Sequence, residues 1–117
     1  MTESLVRLVA LADLAEGGML AVQAGAVPVL LCKVEGRVHA LMNRCTHGLA
    51  PLSDGLLKGH LITCPLHQGR FDIRNGSCVQ APPTRPLQTF DVRIHDEQIH
   101  IVTPVLPPAP KQFGPLG

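Results

Sequence analysis

The chain has 117 residues, 45% apolar and 16% charged, with a formal net charge of +1. That is enough for one domain and too little for an enzyme carrying its own cluster, substrate pocket and second metal site. Its Lys and Arg are scattered and nearly balanced by Asp and Glu, which excludes a phosphate-tracking surface and hence a nucleic-acid partner. No apolar run reaches the 18 or more residues that span a bilayer.

The first segment, MTESLVRLVALADLAEGG, lacks a basic start and is interrupted by Arg7 and Asp13. It reads as neither signal peptide nor membrane segment, so a cytoplasmic location is expected, where thiols stay reduced. Cys32, Cys45, Cys64 and Cys78 are therefore not a disulfide framework. Leu11–Glu16 predicts about one helical turn, stopped by Gly17-Gly18. Val29–Val34 is the short apolar run of a core strand, with Cys32 as a small buried hydrophobe. Glu35-Gly36 then predicts a hairpin turn, and Val38, Ala40 and Met42 alternate as in a half-buried strand. Leu61-Ile62-Thr63 is strand-like. Asn75-Gly76 is a strong hairpin signal, because both residues tolerate positive φ. Phe90, Val92 and Ile94 alternate again, Asp96-Glu97 closes a further turn, and Ile99 and Ile101 follow. Short strands separated by turns predict an all-β barrel or sandwich. Pro104–Gly117, with five Pro and two Gly, reads as a tail, leaving a folded domain over 1–103. His39, His95 and His100 fall in strands and read as surface or hydrogen-bonded residues. His60 lies between the motifs described next. Asp54 and Asp72 read as turn caps.

Two segments carry the chemistry. Cys45-Thr46-His47 is a C-x-H, and after sixteen intervening residues Cys64-Pro65-Leu66-His67 is a C-x-x-H. Each offers one thiolate and one imidazole among turn-forming Gly and Pro. A single zinc ion could take two Cys and two His, but structural zinc sites usually space paired ligands two to four residues apart. A [2Fe–2S] cluster with two thiolates on one iron and two imidazoles on the other fits two such loops better.

The stretch CTHGLAPLSDG…CPLHQGRFDIRNGSCVQAPP resembles the Rieske-type ferredoxins, in particular the small ferredoxin components of bacterial aromatic-ring-hydroxylating dioxygenase systems. The likeness runs from about Leu5 to Val102. It implies an antiparallel β-sandwich with a smaller cluster-binding lobe, about residues 43–83, made by two ligand loops. It implies one [2Fe–2S] cluster held by Cys45, His47, Cys64 and His67, with the histidines at an exposed tip and Pro82-Pro83 in a covering loop. High-potential members add a second cysteine in each ligand loop and a serine and a tyrosine whose hydroxyls donate to the cluster. Here the loop positions read as Leu49 (or its neighbour) and Leu66, and the serine and tyrosine positions as Arg70 and Phe71, which implies a low potential. The resemblance further implies a one-electron carrier between a flavin-dependent reductase and a terminal oxygenase, and a monomer is the simplest expectation for it. Such partners would dock transiently near Leu49, Leu66 and Gln68. The chain has no dinucleotide fingerprint of its own. The alternative is the small subunit of an assimilatory nitrite reductase, which resembles the same fold.

Overall fold

The computed structural model describes residues 3–45, 50–65, 69–80 and 85–104. These form ten strands: β1 (Glu3–Ala10), β2 (Met19–Ala24), β3 (Val27–Val34), β4 (Arg37–Met42), β5 (Leu56–Lys58), β6 (Leu61–Thr63), β7 (Arg70–Asp72), β8 (Cys78–Gln80), β9 (Thr89–His95) and β10 (Gln98–Pro104). They build a six-stranded sheet, in the order β1-β10-β9-β4-β3-β2, and a four-stranded sheet, β5-β6-β7-β8. Every pairing is antiparallel. The all-β class and the separation of a small lobe from a larger sheet follow the sequence expectation. Among the described residues no helix is long and apolar enough to cross a membrane.

Strand β3 explains how the two parts are joined. In a strand, successive side chains point to opposite faces. Leu30, Cys32 and Val34 on one face enter a core with Leu41, Leu52, Ile62, Phe71 and Ile73. Val29 and Leu31 on the other face enter a second core with Leu14, Ala40, Phe90, Ile99 and Ile101. Residues Val29 through Cys32 are completely inaccessible to solvent. The run VLLC is continuous rather than alternating because both faces are dry. Burial pushes the Cys32 thiol up to about 12, so it stays protonated, as expected of a core hydrophobe.

The turns follow their residue chemistry. Glu35 and Gly36 take φ of 55° and 77°, the two positive values of a type I′ hairpin turn whose twist matches the strands. The Glu16 carboxylate holds this turn, accepting the Glu35 N–H at 2.6 Å and the Gly36 N–H at 3.0 Å. Those two bonds keep the Glu16 carboxyl below the usual carboxylate range. Asp96 and Glu97 also both have positive φ, 51° and 62°, without a glycine. The Glu97 carbonyl in turn accepts the Leu11 N–H at 2.8 Å.

Two expectations change. The helical turn expected over Leu11–Glu16 contracts to a 3-10 turn, Leu11–Asp13. It ends because Leu14 is extended, with φ −119° and ψ 112°, and carries its side chain into the second core. Pro104, placed in the tail by composition, is the last residue of β10 and stands opposite Glu3. Residues 105–117 lie outside the described residues.

Because Leu30 and Leu31 serve different cores, their truncations separate. Each of Leu30→Ala and Leu31→Ala costs about 2–5 kcal/mol in urea unfolding. Only Leu30→Ala speeds thiol labelling at Cys45 and Cys64, which share its core. Equal labelling in the two variants would show that the two faces of β3 are not independent.

Candidate metal centre

Of the four expected ligands, two are described. Cys45 follows β4, Cys64 follows β6, and both are almost fully buried, 2% and 1% exposed. Both belong to the core that β3 shares with the small sheet. His47 and His67 lie outside the described residues, as do Leu49, Leu66, Gln68, Pro82 and Pro83.

The two thiol-bearing loops are closed in the same way. The Cys45 N–H donates to the Ala50 carbonyl at 3.0 Å, and the Cys64 N–H donates to the Gly69 carbonyl at 2.7 Å. In each case the cysteine N–H reaches a carbonyl five residues ahead, so the main chain is pinned on both sides of the segment between. His47 and His67 fall within these two segments by sequence.

Further contacts fix the frame. The first loop is tied to the 3-10 turn Leu52–Asp54 by a reciprocal pair: Asn43 Nδ2 donates to Ser53 Oγ at 3.1 Å, and Ser53 N–H donates to Asn43 Oδ1 at 2.9 Å. Sequence reading missed this staple, and nothing in the spacing of Asn43 and Ser53 announces it. Gly55 lies against the carbonyl of Thr63, the residue before Cys64, where a Cβ would collide with that oxygen. A glycine there lets the end of one ligand loop approach the start of the other.

Past the second loop, Asp72 caps the β7–β8 turn as expected. Its carboxylate accepts the Arg74 N–H at 2.9 Å and pairs with the Arg74 guanidinium at 2.8 Å. The side-chain bond from Arg74 is the main reason the Asp72 carboxyl is held below its ordinary range. Gly76, at φ 79°, carries the turn, and its carbonyl accepts the Leu87 N–H at 2.7 Å. Phe71, fully buried, presents an apolar ring to the same core as the two thiols. Cys78 packs at the edge of that core.

His39 departs from expectation. It faces the small lobe from β4, and its Nε2 is buried without a hydrogen-bond partner among the described residues. Its ring meets that of His60 edge-on at 6.0 Å, and His60 Nε2 lies 3.9 Å from a Glu35 carboxylate oxygen. The main chain of His60 accepts the Ile73 N–H at 2.9 Å. His60 thus sits at the seam between the sheets. Desolvation, then the charges of His60, Arg37 and Arg74, push the His39 pKa down. His95 is exposed, and His100 Nδ1 lies 3.2 Å from the Gln98 carbonyl.

Two buried thiols on pinned loops suit a soft metal centre with thiolate ligands. Among the described residues no two cysteines are joined in a disulfide.

Comparison with known proteins agrees. Residues 4–91 match the model of the Rieske [2Fe-2S] domain family. The chain is 44% identical over 101 residues to the ferredoxin component of a naphthalene 1,2-dioxygenase system from Pseudomonas aeruginosa, covering 86% of this chain and 97% of that one. Among solved structures it resembles the Sphingomonas yanoikuyae B1 ferredoxin, with a TM-score of 0.81, 36% identity and coverage of 86% and 100%. It also resembles a chain in the complex of reduced oxygenase and oxidised ferredoxin of carbazole 1,9a-dioxygenase, with a TM-score of 0.78, 33% identity and coverage of 83% and 91%. A nitrite reductase small subunit from Mycobacterium tuberculosis, at 19% identity and a TM-score of 0.78, covering 91% of this chain and all of that one, shares the fold alone.

Two outcomes follow from this geometry. Gly55→Ala forces the loops apart, costing about 1–3 kcal/mol and lowering the metal retained per folded chain in elemental analysis; full metal content would show the approach is dispensable. His39 has a folded pKa below its unfolded value of about 6.5. Between those two values the unfolded chain binds the extra proton. The corresponding stability is present above about pH 6.5 and is lost as the pH falls. The Tm of His39→Gln should therefore fall less than the parent's on acidification below pH 6.5, and parallel curves would contradict this.

Proposed function

The chain belongs to the Rieske [2Fe–2S] domain family, and from that premise we propose that it is the ferredoxin component of an aromatic-ring-hydroxylating dioxygenase system. In this role it carries one electron at a time from a flavin-dependent reductase to a terminal oxygenase and does not itself hydroxylate a substrate. The observation that carries this reading is the matched pair of buried cysteines, each on a loop closed by its own N–H. The naming of relatives as dioxygenase ferredoxins favours it over the nitrite reductase subunit. The domain runs through Pro104, the last residue of β10.

Cys45 and Cys64, through their thiolates, and His47 and His67, through their imidazoles, would hold the cluster. When bound, the cluster accepts and releases a single electron at a potential well above that of all-thiolate clusters. The chain sets that potential through the charge of its donors. Two neutral imidazoles in place of two thiolates reduce the negative charge an incoming electron must meet. The chain also withholds a stabilising hydrogen bond: Phe71 is fully buried and has no hydroxyl to donate to a reduced cluster. On this reading the midpoint lies near the low end of the Rieske range, about −150 mV.

The test is a redox titration of the purified holoprotein followed by electron paramagnetic resonance. A Rieske signal should appear on reduction, with a midpoint near the low end. Cys45→Ser and Cys64→Ser should lose the signal along with the iron. Phe71→Tyr should raise the midpoint. A midpoint well above zero in the parent would overturn the low-potential assignment. A colourless protein holding zinc would remove electron transfer altogether.

A further inference from the structure

The two cysteines are pinned alike by their own N–H groups but anchored differently beneath. Cys64 stands on a hairpin. Thr63 just before it pairs with Arg70, the residue after Gly69, so β6 and β7 meet directly under the second ligand segment. Each of those strands has a further neighbour, β5 and β8. Cys45 has no such base. Its segment leaves β4 after Met42 and returns to the 3-10 turn Leu52–Asp54, and β5 begins only at Leu56. Residues 43–45 and 50–55 pair with no strand. On the outgoing side the Asn43 N–H donates to the Pro28 carbonyl at 2.9 Å. On the returning side Pro51 has no N–H to donate.

Asn43 supplies the missing base. Its carboxamide is a peptide group carried on a side chain, with a carbonyl acceptor and an amide donor. Oδ1 accepts the Ser53 N–H at 2.9 Å, and Nδ2 donates to Ser53 Oγ at 3.1 Å. This two-bond closure does for Cys45 what the Thr63–Arg70 pair does for Cys64. Both bonds are partly buried, so water competes for them less than it would at the surface. Leu52, beside Ser53, is fully buried in the core that holds both thiols, so the pair also fixes where the returning chain enters that core. Yet one side-chain pair is a slighter tie than a hairpin set inside a four-stranded sheet. Local opening is easiest where the fewest such bonds must break, which makes the Cys45 side the weaker of the two.

We propose that Asn43, through its pair with Ser53, is the positioning residue for Cys45, and that the metal centre opens at Cys45 before Cys64 is released. The proposal rests on the reading of both cysteines as cluster ligands. It adds the order in which they part from the metal and a residue outside the ligand set that controls it. The chemistry of the pair dictates a graded series. Leucine at position 43 is similar in size but loses both bonds and leaves the Ser53 N–H unpaired. Aspartate keeps an oxygen for the Ser53 N–H and accepts a bond from the Ser53 hydroxyl, so it restores the closure. Ser53→Ala removes one bond and keeps the other.

The test follows the oxidised holoprotein in excess EDTA with iodoacetamide present, reading iron by absorbance and each cysteine peptide by mass spectrometry. While iron is bound, neither Cys45 nor Cys64 should be labelled. As iron is lost, Cys45 should be labelled ahead of Cys64. Cys32, completely buried, reports global unfolding and should stay unlabelled throughout. Asn43→Leu should speed iron loss about fivefold or more and widen the lead of Cys45. Ser53→Ala should do so by a smaller factor, and Asn43→Asp should stay near the parent. Leu31→Ala, in the other core, should lower the Tm without changing the order. Cys64 labelled first or in step with Cys45 in the parent, an unchanged lead in Asn43→Leu, or iron loss there at the parent rate would each overturn the proposal. If Asn43→Leu fails to hold iron at all, Ser53→Ala decides by the same two readings. Ready labelling of Cys45 and Cys64 in the iron-loaded parent would overturn the ligand reading itself, and this inference with it. That result is distinct from two shielded thiols released in the wrong order.

Discussion

A strand that is dry on both sides governs this molecule. Leu30, Cys32 and Val34 of β3 look into the lobe that holds the two thiols, and Val29 and Leu31 look into the core of the larger sheet. A fully buried aliphatic side chain contributes about 1.5–3 kcal/mol relative to exposure, so β3 cannot slip by one residue without turning two sets of side chains to the wrong partners. The shared strand thereby holds the lobe to the sheet. Cys45 and Cys64 are buried by residues of β3, β4 and the small sheet together, so the site inherits the rigidity of the seam.

That seam also contains the least satisfied polar atom described, Nε2 of His39. Its position follows from register: His39 stands opposite Cys32 and shares its face, turned toward the lobe. The His60 ring meets it from the β5–β6 turn, and Glu35 of the β3–β4 turn lies in turn against His60. Pattern alone makes His39 a polar-face residue, because alternation within 37–42 looks like a one-sided strand. Only the second sheet, whose presence a single strand cannot announce, turns that face into an interior.

The legibility of the rest divides along the same line. Strands β3, β4, β9 and β10 were readable because they carry clear apolar patterns between turn residues of defined chemistry. Strands β5, β7 and β8, three residues each, are too short to show a period. They exist because Leu57, Ile62 and Phe71 line up across strands, which is a tertiary fact. The C-x-H and C-x-x-H motifs stand out in the sequence because thiolate and imidazole spacing is restrictive. Gly55, Asn43 and Ser53 were not, because what they do depends on the carbonyl of Thr63 and on each other rather than on their neighbours in the chain.

The repeated closure of the two thiol loops reaches beyond the present sequence. Each loop is fastened at its base by a main-chain bond from the cysteine N–H, at Ala50 and at Gly69, and a main-chain bond does not depend on which side chains lie between. The intervening residues can be rewritten over generations while the sheets beneath keep their spacing. The architecture therefore behaves as a socket with two interchangeable inserts. A lineage could retune its electron carrier, or lose the metal and keep the fold, by changing only a few residues in each insert.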